Sequence, residues 1–148
     1  MATVAPESLQ TLYERDETAW LELTASLIAE GRFSEVNREQ LSEYLTDMAK
    51  RDRREVSSRL TVLMTHLLKW EHQSNLRSGS WKGTIREQRR ELRQLLDSGT
   101  LRNYAQAILE DTYAEARKQA ADETSLGDDQ FPLALPWSLD DLLTEESL

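Results

Sequence analysis

Apolar residues recur every three to four positions along most of this chain, the period of α-helices rather than of strands. Leu9, Leu12/Tyr13, Trp20, Leu23 and Leu27 form a first stripe. It predicts a helix over residues 8–30, with Gly31 as its left-handed stop. Phe33 and Val36 in the connector are expected to pack under the start of the next helix. Asn37, with Gln40 three residues on, reads as a capping box. The second helix then runs over 38–71 on a stripe of Leu41, Tyr44/Leu45, Met48, Val56, Leu60, Leu63, Leu67 and Trp70. No Gly or Pro interrupts it. Its middle, Lys50-Arg51-Asp52-Arg53-Arg54-Glu55, has almost nothing apolar to bury, so a bend or an exposed middle is expected there.

A polar turn, Gln73 to Gly79, leads to a third helix over 80–97. Trp81, Ile85, Leu92 and Leu95/Leu96 face inward; Arg86, Glu87, Arg89, Arg90 and Arg93 form a basic outer face. Thr100 is expected to cap a fourth helix over 101–123, with Leu101, Tyr104/Ala105, Ile108/Leu109, Thr112 and Ala116 inward. Gly127-Asp128-Asp129 breaks the pattern, and Phe131-Pro132 and Pro136-Trp137 read as extended, because each Pro biases its predecessor away from helix. Ser138 and Asp141 then cap a short helix near 139–145 within an acidic tail, 124–148. Two large aromatics in that tail argue that it docks. The fold expected is all-α: an antiparallel bundle of about four long helices, a docked C-terminal tail and a short final helix. At 148 residues it is read as a single domain, 1–148.

Composition supports a globular helical chain, with 39% hydrophobic and 30% charged residues and only 5 Gly and 3 Pro. Without cysteine there is neither a disulfide framework nor a thiolate nucleophile or metal ligand. The first residues lack the basic start and apolar run of a signal peptide, and no apolar stretch approaches the ~18 residues of a membrane span. The cytoplasm is therefore the expected compartment, with no membrane role. Net charge is −9, unevenly placed. Lys50 to Arg93 holds twelve Lys/Arg against five Asp/Glu, a balance of +7, and the flanks carry −16. A basic middle of this kind either meets an anionic partner or is neutralised by the chain's own acidic ends.

Two groups of residues are candidates for chemistry. Asp16, His66 and Gln88 are polar residues on or beside apolar stripes of three helices. Buried polar groups need hydrogen bonds, so the three are expected to converge on one network. Its functional reading is a pocket in which Asp16 orients His66 as general base; its structural reading is a network that sets helix register. The second group is the run His66 to Arg90, where free N–H groups at a helix N-terminus near Arg77 and Lys82 could cradle a phosphate or carboxylate, with Arg77, Trp81 and Gln88 as the candidate ligand-binding residues. Its structural reading is a turn with Trp70 and Trp81 as core anchors. His66 and His72 are six apart and diverge on a helix, and no Glu-x-x-His occurs, so no metal site is expected. No phosphate-binding loop or dinucleotide fingerprint is present, so no cofactor is expected.

The stretch His66-Leu67-Leu68-Lys69-Trp70, followed by Arg77-Ser78-x-Ser80-Trp81-x-x-Thr84-Ile85-x-x-Gln88-Arg89, resembles the signature of a bacterial family known only as domain-of-unknown-function family twenty-nine. Tyr13-Glu14-x-Asp16-x-x-Ala19-Trp20, Gly31-x-Phe33 and Phe131-Pro132…Pro136-Trp137-Ser138 fit the same pattern, from about Tyr13 to Leu143. Ser74 and Ala49 stand where the family pattern often has Pro and Gly. The resemblance implies a small helical protein and carries no activity or catalytic residue with it.

The leading functional expectation is a non-enzymatic interaction, adaptor or regulatory protein, with a protein partner or a homodimer. A second is a nucleic-acid-associated factor using Arg51, Arg53, Arg54, Arg86, Arg89, Arg90 and Arg93, against which the pI near 4.8 counts. A third is an enzyme or small-ligand protein centred on Asp16, His66, Arg77, Trp81 and Gln88, which requires a cavity among those side chains.

Overall fold

A computed structural model describes residues 6–144, and every regular element among them is helical. The chain divides into two compact units, Met1–Lys50 and Arg51–Leu148.

In the first unit the helix expected over 8–30 is two helices, α1 (Pro6–Arg15) and α2 (Glu17–Ala29). The break falls at Asp16, whose backbone leaves the helical region at φ −146°, ψ 82°. Its carboxylate accepts from the Ala19 N–H at 3.1 Å. Asp competes for backbone donors in this way, which is why it favours caps over helix interiors. Asp16 is therefore an exposed N-cap rather than an inward residue of one long helix. The break lets α1 and α2 pack on each other.

Trp20, only 1% exposed, centres this unit's core with Leu9 and Leu27. The rings of Tyr13 and Tyr44 lie 4.7 and 5.4 Å from it, both tilted. Its indole N–H donates to Gln40 at 3.1 Å. Asn37 does cap the next helix, accepting from the Gln40 N–H, but the Gln40 side chain serves Trp20, so only half of the expected capping box is made. Gly31 has the expected positive φ, +73°. Phe33 is 64% exposed rather than packed, and Val36 takes the core position instead. The turn Phe33–Glu35 is held by Arg32, which pairs with both Glu30 and Glu35.

Tyr13 donates its hydroxyl to Glu43 at 2.8 Å. This bond to a carboxylate stabilises the neutral phenol and pushes its pKa up to about 12. A raised pKa contributes stability that is complete below pH 10 and is lost as pH rises through about 12. In an ultraviolet titration Tyr13 is expected to ionise late, and Glu43→Gln should return it toward 10. An unchanged titration in that variant would refute the assignment.

Helix α3 (Arg38–His72) is continuous over 35 residues, and in its polar segment, where a bend or an exposed middle is expected, Lys50, Arg51 and Arg54 are exposed. From Arg51 onward it belongs to the second unit, with α4 (Gly79–Leu95), α5 (Gly99–Thr124) and the short α6 (Leu139–Leu143). Side-chain pairs set the register. Arg59 meets Gln88 and Glu91, and Lys69 meets Trp81, so α3 and α4 are antiparallel. Arg53 meets Tyr104, Thr65 meets Ala116 and Lys69 meets Glu123, so α3 and α5 are parallel. Ser78 and Ser98 are the N-caps of α4 and α5. Ser98 displaces the expected Thr100, because the helix begins at Gly99. The fully buried Val56, Leu60, Leu63, Met64, Leu68, Ile85, Leu92, Ala105, Ala116 and Ala120 build the core, and the inward register of Thr112 and Ala116 is as expected.

The tail docks, as its aromatics suggested. Phe131, Leu139, Leu142 and Leu143 are buried in the same core. Ser138 and Asp141 make the full capping box. A five-residue helix is far below the length that is stable in water, so α6 owes its order to what it packs against.

Candidate functional site

Two groups among the basic residues of the second unit have different fates. One group clamps the tail. The Arg89 guanidinium, buried at 7% exposure, donates to the Leu142 carbonyl at 2.9 Å, and Arg93 donates to the Leu143 carbonyl at 3.2 Å. These are carbonyls at the end of α6, which have no helical donor of their own. Arg102 pairs with Asp140. Arg117 donates to the Phe131 and Asp128 carbonyls, and Tyr113 donates to that of Pro132. Burial raises the Tyr113 pKa, with Arg117 opposing. The basic outer face read on the third helix is therefore partly an inner face. Arg53 is likewise engaged, half-buried over the Tyr104 ring.

The other group is exposed. Arg51, Arg54 and Arg86 make no hydrogen bond or ion pair among the described residues, and Arg90 has only a 3.3 Å contact with Glu91. Arg51 and Arg54 border an open groove of about 610 Å³ whose other walls are Glu55, Ser58, Arg59, Val62 and Gln88. Arg51, Arg54, Ser58 and Val62 follow one another at helical spacing, forming one face of α3. Arg59 is fixed by Glu55 at 2.9 Å and by the Gln88 side-chain carbonyl at 3.1 Å. Because that carbonyl accepts from Arg59, the NH₂ of Gln88 is left as a donor. The groove thus combines two unpaired guanidiniums, a hydroxyl and an amide N–H with one carboxylate, Glu55, which accepts from Arg59. That chemistry accepts oxyanions.

His66 lies elsewhere in this unit. It lines a smaller depression of about 350 Å³ with Ser57, Ser58, Thr61, Val62, Thr65, Gln119 and Glu123. Its Nδ1 is 2.9 Å from the Val62 carbonyl, so Nδ1 carries a proton and donates to that carbonyl. Thr61 and Thr65 donate to carbonyls one turn back. Gln88 lines the groove and His66 the depression; the two surfaces share Ser58 and Val62, but no hydrogen bond joins the two side chains. Asp16 belongs to the first unit, where it caps α2.

The corner candidates are also engaged. Arg77 donates to the Trp70 carbonyl at 2.7 Å and stacks on the Trp70 ring at 4.8 Å. Trp81 carries the Lys69 ammonium 4.8 Å from its ring centre, and its backbone N–H donates to the Ser78 hydroxyl oxygen. Among the described residues no three of His, Asp and Glu are placed to hold a metal. Sequence reasoning had not singled out Ser58, Arg59 and Val62. The Glu55–Arg59 spacing of four was a readable signal for a pinned guanidinium, and the spacing of Arg51, Arg54, Ser58 and Val62 marked a common face.

No helix among the described residues is long and apolar enough to cross a membrane. No curated protein and no solved structure matches the chain in the comparisons made. A family model, the domain of unknown function DUF29, matches residues 12–148. That span takes in the Trp20 core, the α3–α4 corner and the clamped tail, so the chain belongs to the DUF29 family.

Proposed function

We propose that this protein is a non-enzymatic interaction module, acting in the cytoplasm, that binds a carboxylate-rich protein segment in the groove between α3 and α4. One observation carries the reading: Arg51 and Arg54 stand exposed and unpaired beside a groove whose one carboxylate, Glu55, is paired with Arg59. Guanidinium groups left free next to a preformed concavity favour an anionic occupant. A protein segment suits it better than a nucleic acid. A polyphosphate needs a long run of free cations, whereas Arg53, Arg89 and Arg93 are turned to Tyr104 and the tail. The acidic Asp140 and Asp141 on α6 also repel phosphate.

The test is affinity capture from native cells at low salt, with and without nuclease, comparing the wild-type chain with Arg51→Glu/Arg54→Glu. Both side chains are exposed, so the melting temperature should stay within the range of ordinary surface changes. The expected result is a protein partner that survives nuclease and is lost from the variant. Equal recovery with both chains, or material that vanishes with nuclease, would overturn the reading.

A further inference from the structure

We infer that the occupant of the groove is a second copy of this chain, presenting the acidic face of its first unit. The inference rests on the groove being a protein-binding surface. Glu39, Glu43 and Asp47 lie on the first-unit part of α3 at successive spacings of four, so they share one face, and all three are exposed. Glu43 accepts one hydrogen bond from Tyr13, which leaves most of its lone-pair sites open. Beside them is a shallow depression of about 490 Å³ lined by Arg38, Glu39, Ser42 and Glu43.

Charge complementarity is built into the sequence. Residues 1–50 hold four Lys/Arg against ten Asp/Glu, a balance of −6, and residues 51–95 hold eleven against five, a balance of +6. The spacings also suit one another. Carboxylates four residues apart on a helix are about 6 Å apart along its axis, and guanidiniums three residues apart about 4.5 Å. Two flexible arginines can therefore each meet a carboxylate of a helix laid along the groove. The Ser58 hydroxyl and the Gln88 NH₂ lie further along the same groove as donors for a third.

Each exposed ion pair is worth little alone and is screened by salt. The association is accordingly weak and steeply salt-dependent. Raising salt from about 50 to about 300 mM should weaken it roughly tenfold or more.

Sedimentation velocity of the full chain tests this through a charge exchange. Wild type should self-associate at low salt. Arg51→Glu/Arg54→Glu makes both surfaces acidic, and Glu39→Lys/Asp47→Lys makes both basic, so each variant alone should be monomeric. Mixing the two should restore the complex, because each supplies the charge the other lacks. Restoration also shows that both variants are folded. The milder pair Arg51→Gln/Arg54→Gln and Glu39→Gln/Asp47→Gln should each weaken wild-type association, should either charge reversal disturb folding. A wild-type chain that stays monomeric at low salt, variants that associate as wild type does, or folded variants that ignore each other would overturn the inference. A monomeric wild type that still captures a different protein through Arg51 and Arg54 would remove the second copy and leave the interaction reading standing. A monomeric wild type whose captures ignore those arginines would remove both.

Discussion

Trp20→Ala is expected to cost about 3–5 kcal/mol, the range for deleting a large buried aromatic. The first unit has few ways to absorb the loss. Leu9, Trp20 and Leu27 are its fully buried apolar residues among those described, and Tyr13 and Tyr44 pack on the indole from two sides. Removing the ring also leaves the Gln40 side-chain carbonyl without its donor, which adds about 1–3 kcal/mol where no water replaces it. Trp20→Phe separates the two contributions, since it keeps most of the apolar volume and loses only the N–H. Urea unfolding followed by circular dichroism should rank wild type, Phe and Ala in that order. A Phe variant as damaging as Ala would show that the hydrogen bond, rather than packing, holds the unit.

Leu142→Ala is the counterpart in the second unit and should cost about 2–5 kcal/mol. Leu142 is fully buried on α6, and its own carbonyl receives the Arg89 guanidinium. Losing the leucine side chain therefore weakens the apolar contact that brings the Arg89 acceptor into place, and the tail should open to protease between α5 and α6. Acid should act in the same direction. Asp141 is held below the ordinary carboxylate range because it accepts from the Ser138 backbone N–H and hydroxyl. A lowered pKa contributes stability that is present above pH 3.8 and fades as pH falls through the depressed value. Tail protection that survives both Leu142→Ala and strong acid would contradict this clamp.

Most of the helical pattern was legible because the apolar stripes are long and uninterrupted. Gly31, the Ser138–Asp141 cap, the inward face of α5 and the docked tail all follow from rules local to a few residues. What could not be read were choices made by tertiary partners. Asp16 sits at the helical phase of a core residue, yet its carboxylate does better as a cap, and only the folding of α1 onto α2 reveals that. Gln40 has the spacing of a capping box but answers to Trp20, twenty residues away. The arginines of α4 look like one solvated face from sequence. Arg89 and Arg93 instead read carbonyls some fifty residues downstream, a distance no periodicity reports. With Arg89 and Arg93 engaged in this way, Arg51 and Arg54 stand as unpaired cations bordering the groove.

Occupancy of that groove is most directly read by arginine-specific chemical footprinting of the complex recovered at low salt, quantified by mass spectrometry. Arg51 and Arg54 should lose reactivity in the complex relative to the free chain, while Arg86, also exposed, keeps its own. Unchanged reactivity at Arg51 and Arg54, or protection confined to Arg86, would contradict the groove as the binding surface.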